Sequence, residues 1–180
     1  MPFLYRLSSE CTLSISQLRH ALQLIVQKHL SLRTSLNFDS ENNVLMQRIV
    51  DLDNDNKDQL YEFIESTYET EEELSHIMHT EKGNPHIFDL SRGLVFRCHL
   101  VYYKRICTIN LLSDKDAIIF NFHHALFDFP SMSIFLHDLN QAYTTSQLPP
   151  DNDDTLRYLD CNYLHILSFN TMLFDSSFSF

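Results

Sequence analysis

Two adjacent histidines and an aspartate, His123, His124 and Asp128, are the groups in this sequence best suited to moving a proton. Imidazole titrates near neutral pH, so it acts as base or acid under ordinary conditions. A carboxylate at Asp128 is placed to orient an imidazole, or to meet a cation that fixes the loop. Either histidine also has an ordinary reading as a packed, hydrogen-bonded core residue. Both lie in the segment AIIFNFHHALFDFPS over residues 117–131. Its apolar, aromatic-rich start reads as a buried strand over 117–122, and its end reads as the mouth of a helix. Successive strand side chains point to opposite faces, so His123 and His124 are expected to look in different directions, one as base and one as structural group.

The elements that must position this segment are visible on both sides of it. A strand is predicted over residues 3–7. Ser14 is a plausible N-cap for a helix with Ile15, Leu18, Leu22 and Ile25 at amphipathic spacing, ending near Leu30 and delivering Arg33. Alternation predicts a strand over 44–50. Two short helices are expected next, over 57–67 and 71–80, the second with a capping box at Thr70 and Glu73 and with glutamates in its first turn. Gly83, Asn84 and Pro85 break the chain. Strands are predicted over 94–103 and 106–111, with a hairpin in this region and a turn over 113–116 into the central strand. Phe135, Leu139, Ala142 and Tyr143 place a core-facing stripe on a helix over 131–143. A connection with Pro149 and Pro150 leads to a last helix over 155–170.

Composition narrows the function. The chain has 180 residues, 44% hydrophobic, which allows one domain with a real core. A net charge of −11 argues against a nucleic-acid-binding surface. Only two glycines are present, which works against a glycine-rich phosphate loop. Cys11, Cys98, Cys107 and Cys161 show no spacing that favours zinc, and read as reduced, mostly buried thiols. No apolar run approaches the ~20 residues of a membrane span. No basic region followed by an apolar core opens the sequence, so a cytoplasmic location is expected. Asp51, Asp53, Asp55 and Glu62 partly match a calcium loop, but Asn56 stands where that loop needs glycine, and the segment reads as an acidic turn.

The order His-His-x-x-x-Asp, here His123, His124, Ala125, Leu126, Phe127 and Asp128, resembles the signature of the chloramphenicol acetyltransferase-like acyltransferases. Within them it is most similar to the condensation domains of non-ribosomal peptide synthetases. Three further segments carry the resemblance. Lys28, His29, Leu30, Ser31, Leu32, Arg33, Thr34, Ser35 and Leu36 resemble the family's Arg-His-x-x-Leu-Arg-Thr-x-Phe. The run from Phe88 through Asp89, Leu90, Gly93, Leu94 and Phe96 to Arg97 is similar to Phe-Asp-Leu-x-x-Gly-Pro-Leu-Phe-Arg. Tyr158, Leu159 and Asp160 resemble the start of Tyr-x-Asp-Tyr-Ala.

The resemblance implies an α+β fold, a two-layer α/β sandwich of the chloramphenicol acetyltransferase-like kind, forming one lobe of a two-lobe domain. Residues 1–173 correspond to the N-terminal lobe, incomplete at both ends, and 174–180 to an unrelated tail. A family segment of the Ser-x-x-Gln-x-x-Leu-Trp type is expected before the first strand and is not found there. The full domain would join two acyl units held as phosphopantetheine thioesters on carrier proteins, with no cofactor bound directly and no metal. The missing C-terminal lobe would be a partner of this one. His124 is the implied residue at the reacting centre, as base or positioning group. His123 and Asp128 would hold the loop, and Arg33 would pair with Asp128. Phe129 stands where the family has glycine, a change expected to narrow the tunnel or move the loop. Two other functions stay open: a coenzyme A-dependent acyltransferase of the same superfamily, and a non-catalytic carrier-binding fold.

Overall fold

A computed structural model describes residues 1–8, 11–51, 60–106, 110–149 and 174–175, the last pair as backbone only. Its centre is a five-stranded mixed sheet in the order β5-β6-β8-β1-β9. The strands are β1 (Pro2–Leu7), β5 (Glu62–Tyr68), β6 (Phe96–Tyr103), β8 (Ala117–Phe122) and β9 (Phe174–Asp175). Four further strands lie outside it. They are β2 (Leu13–Ser14) with β7 (Leu111–Leu112), and a separate ribbon of β3 (Thr34–Asp39) with β4 (Val44–Ile49).

The apolar run Ala117–Phe122 is the middle strand. All six residues of β8 are buried, as the apolar run predicts. It pairs antiparallel with β1, Phe3 opposite Phe120, and with β6, Phe96 opposite Phe122. Expected strands at 3–7 and 94–103 are therefore present. The predicted hairpin takes a different course, since β7 leaves the sheet to pair with β2 while β6 joins β8 directly.

Helices cover both faces. Helix α1 (Ile15–Lys28) starts at Ser14, whose side chain accepts from the Gln17 N–H, and α3 (Ser131–Thr145) lies beside it. Leu18, Leu22 and Ile25 of α1 and Phe135 and Leu139 of α3 pack with Phe96, Cys98, Phe120 and Phe122 in the main core. On the opposite face α2 (Glu71–Gly83) buries Leu74 against Tyr68, Val101 and Ile119. Thr70 caps it by accepting from Glu73, as the capping box predicts.

The helix expected over 57–67 is corrected where it can be seen: residues 62–68 form β5, parallel to β6. Phe63, Ile64, Thr67 and Tyr68 are β-branched or aromatic and suit a pleated surface better than a helix. The partial calcium loop, the last helix, Tyr158 to Asp160, Cys107 and Cys161 lie wholly or largely outside the described residues. Phe174 and Asp175 pair with Leu7 and Arg6 at the end of β1. Cys98 is buried and Cys11 half-buried, both free thiols, and burial pushes the Cys98 thiol well up.

Candidate active site

The loop after β8 is fixed from inside. The Phe127 ring folds back to stack on Phe122, centroids 3.8 Å apart and 7° from parallel, and Phe122 in turn stacks on Phe96 at 4.8 Å. Leu126 and Phe127 are 5% and 4% exposed, which turns His124, Ala125 and Asp128 outward to solvent. The backbone completes the anchor: the His123 N–H donates to the Val95 carbonyl at 2.8 Å, and the Leu126 N–H to the His123 carbonyl at 3.1 Å.

His123 and His124 do not look in opposite directions. Their rings stack at 4.7 Å and 21°. The strand ends at Phe122, so the alternation that separates neighbours within a strand no longer applies. His123 is the inner ring. It packs edge-on against Phe88 at 5.5 Å, and its Nδ1 accepts from the Ala125 N–H at 3.2 Å. Partial burial, the neighbouring His124 and the amino terminus together depress its pKa below the ordinary 6.5. His123 is thus held neutral, with its remaining proton on Nε2. His124 is the exposed ring.

Asp128 accepts from Ser131 twice, from its N–H at 3.0 Å and from its hydroxyl at 2.5 Å. It thereby satisfies the first N–H of α3 from two residues before the Pro130 cap, near the helix start, where the dipole favours a carboxylate. Arg33, at the end of the short 3-10 turn Leu30–Arg33, does not reach it. Its guanidinium donates to the Val50 carbonyl at 2.6 Å, and the Val50 N–H returns a bond to the Arg33 carbonyl at 2.8 Å. Burial lowers the Arg33 pKa, with Asp51 acting against it, and Nε is buried with no hydrogen-bond partner among the described residues. The expected Arg33–Asp128 ion pair is replaced by two separate contacts, because each group finds a nearer backbone partner. Gly93 supports Arg33's neighbourhood. At φ 74° it lets the 88–94 turn approach so closely that a Cβ would meet Val50 at 2.8 Å.

A second polar tie was missed at the level of sequence. Asp138 of α3, only 3% exposed, accepts from Lys28 Nζ at 2.9 Å and bonds His29 Nε2 at 2.7 Å. These hydrogen bonds outweigh the upward pull of burial and hold its carboxyl below the ordinary range. The signal was available: Asp138 sits in the apolar stripe of Phe135, Leu139 and Ala142, where an acid needs a partner. A cleft of about 410 Å³ between α1 and the sheet, lined by Arg19, His20, Gln23 and Glu65 among others, contains none of the site residues. Among the described residues no three His, Cys, Asp or Glu side chains form a metal-binding group.

With this geometry in place, the sequence profile of the family described as Condensation domain matches residues 1–161. The chain belongs to the condensation-domain family. It is 31% identical over 151 residues to surfactin synthase subunit 1 of Bacillus subtilis (strain 168), covering 84% of this chain and 4% of that protein. It is 28% identical over 151 residues to the hybrid PKS-NRPS synthetase pvhA of Talaromyces variabilis, covering 80% and 3%. Among solved structures, the epimerization domain from the third module of tyrocidine synthetase B superposes with a TM-score of 0.65 at 19% identity, over 85% of this chain and 33% of that one. The X-domain from teicoplanin biosynthesis gives 0.61 at 24%, over 89% and 31%. This condensation-domain chain therefore spans a few per cent of its curated relatives and about a third of its solved neighbours. The α+β, chloramphenicol acetyltransferase-like fold implied by the sequence is the fold observed. No helix among the described residues is long and apolar enough to cross a membrane.

Proposed function

We propose that this chain is the first lobe of a condensation domain that forms an amide between two carrier-bound acyl units, with His124 at the reacting centre. The observation that carries the reading is the exposed His124 ring, held on a loop that Phe127 and Phe122 pin to the sheet end. In the reaction the amine of one unit attacks the thioester carbonyl of the other. An N–C bond forms, the C–S bond breaks, the phosphopantetheine thiol leaves, and the amine gives up a proton. His124 accepts that proton or holds the amine and the charge of the tetrahedral intermediate. Neutral His123 stacks behind it and fixes its plane. Asp128 acts through α3, by fixing where the loop ends. Arg33 supports the β4 end of the lobe.

Carrier proteins and the second lobe are the partners of this reading, the phosphopantetheine arm belongs to the carriers, and the compartment is the cytoplasm. The 180-residue chain alone is expected to make no amide, since the resembled domains place the active site between two lobes and this chain corresponds to one. A non-catalytic carrier-binding fold is the second reading. It is favoured by the 59% exposed Phe129 ring beside Asp128 and by Arg33 lying on Val50 rather than on Asp128. Amide formation by the full-length domain with two loaded carriers, wild type against His124→Ala, separates them. The condensing reading expects product and a loss of at least about 100-fold in the variant. Carrier binding without product from the wild type would leave only the second reading.

A further inference from the structure

The sheet face under α2 carries a second set of groups suited to proton transfer. Ser66 of β5, His99 of β6 and Glu81 of α2 meet in a line. Ser66 Oγ lies 2.7 Å from His99 Nε2, and His99 Nδ1 lies 2.9 Å from Glu81 Oε1. The inner two are 6% and 5% exposed, while Ser66 stands half-buried on the edge strand. Other donors converge on Glu81. Asn121 Nδ2 donates to its Oε2 at 2.8 Å, and Arg97 Nη1 lies 3.3 Å from Oε1 while Arg97 also binds Glu62. Burial pulls the Glu81 pKa up, but His99, Asn121 and Arg97 outweigh it, so the carboxylate stays ionised.

An ionised Glu81 selects the His99 tautomer with its proton on Nδ1. The lone pair of Nε2 then faces the Ser66 hydroxyl. This is the serine, imidazole, carboxylate order that makes a hydroxyl nucleophilic, and it is identified by geometry and role rather than by chain position. We propose that Ser66 is an activated nucleophile that takes an acyl group from small activated esters and thioesters, with His99 as its base and Glu81 as the residue that positions His99. Ser66 Oγ bonds to the acyl carbon as its proton passes to His99 Nε2. The tetrahedral adduct collapses by breaking the C–O or C–S bond, and His99 returns the proton to the departing alcohol or thiol. Among the described residues the Ser66 hydroxyl meets no side chain but His99, which accepts from it, so no donor stands ready for an oxyanion and single acylation rather than fast turnover is the expected behaviour.

The test uses the 180-residue chain with a fluorophosphonate probe and, separately, p-nitrophenyl acetate, followed by peptide mass mapping. With the probe, Ser66 forms the P–O bond, fluoride leaves, and His99 takes the proton. Labelling at Ser66 is expected at least tenfold faster than at Ser91 or Ser133, absent in Ser66→Ala, and at least tenfold slower in His99→Gln. For Glu81→Gln the pH profile of the labelling rate is the deciding readout. Arg97, Glu62 and the Met1 amino group are the other charges around it. A positioning role shifts that profile, whereas a carboxylate that only ties α2 to the sheet leaves it unchanged, which removes Glu81 from the proposal. Wild-type labelling at Ser66 no faster than at the exposed serines overturns the proposal whatever the variants do.

Discussion

At the scale of single residues, the site is set by which side chains of the 123–128 loop turn inward. Leu126 and Phe127 are captured by the core, and the polar residues around them are left outside. Asp128 then serves α3 by accepting from Ser131. Asp128→Ala is expected to cost about 0.5–2 kcal/mol, the range for losing a side chain that satisfies an N–H at a helix start, with Asp128→Asn costing less. Urea denaturation of the three proteins measures it. A loss well above that range would mean that Asp128 holds more than the helix end. The histidine pair and its strand were legible in the sequence because a short apolar run has few alternatives. Arg33's partner was not. Val50 and Asp128 both offer oxygen acceptors, and only the tertiary path of the chain decides which is nearer.

Between elements, the tie that matters most is the one from α3 to the end of α1. Lys28, His29 and Asp138 form a charged contact at the rim of an apolar interface, and α1 leads from there directly to Arg33. Removing the acid leaves two donors facing a buried gap. Asp138→Ala is therefore expected to destabilise the chain by roughly 3–5 kcal/mol at neutral pH. The pH dependence has a definite sign. The folded carboxyl titrates below its ordinary 3.8, so the unfolded chain binds the proton more readily. Stability from Asp138 is fully present above 3.8 and is lost as pH falls through the folded value. Denaturation at pH 7 and in strong acid should show wild type losing this increment and the variant showing a smaller fall. An equal fall in both would assign acid lability to other carboxylates. Helices α1, α2 and α3 were readable from periodicity and caps. Strand β5 was not, since the Asn- and Asp-rich stretch before it suggests a helix start. Its parallel pairing with a strand some 35 residues later leaves no local mark.

Over the whole molecule, the apolar residues divide unevenly. The five-stranded sheet is packed on both faces, yet the β3–β4 ribbon exposes Phe38 by 62%, Leu45 by 61% and Met46 by 54%. Phe38 and Leu45 are directly opposite in the register and so share one face. Met46, opposite Asn37, lies on the other face, where Asn37 bonds the Ser91 carbonyl and Gly93 closes on the backbone of Thr34 and Ser35. A two-stranded ribbon is marginal by itself, and a contiguous apolar face on it favours association. The isolated chain is therefore expected to self-associate as its concentration rises. Sedimentation velocity across a concentration series should show this. Phe38→Ser combined with Leu45→Thr should abolish most of it while shifting the denaturation free energy by no more than about 1 kcal/mol, as expected for exposed positions. Because neither residue touches the core, a change in association without a change in stability would locate the sticky surface on this face. Association that persists in the double variant would move it to the other exposed apolar groups, Phe129 and Met46 first among them.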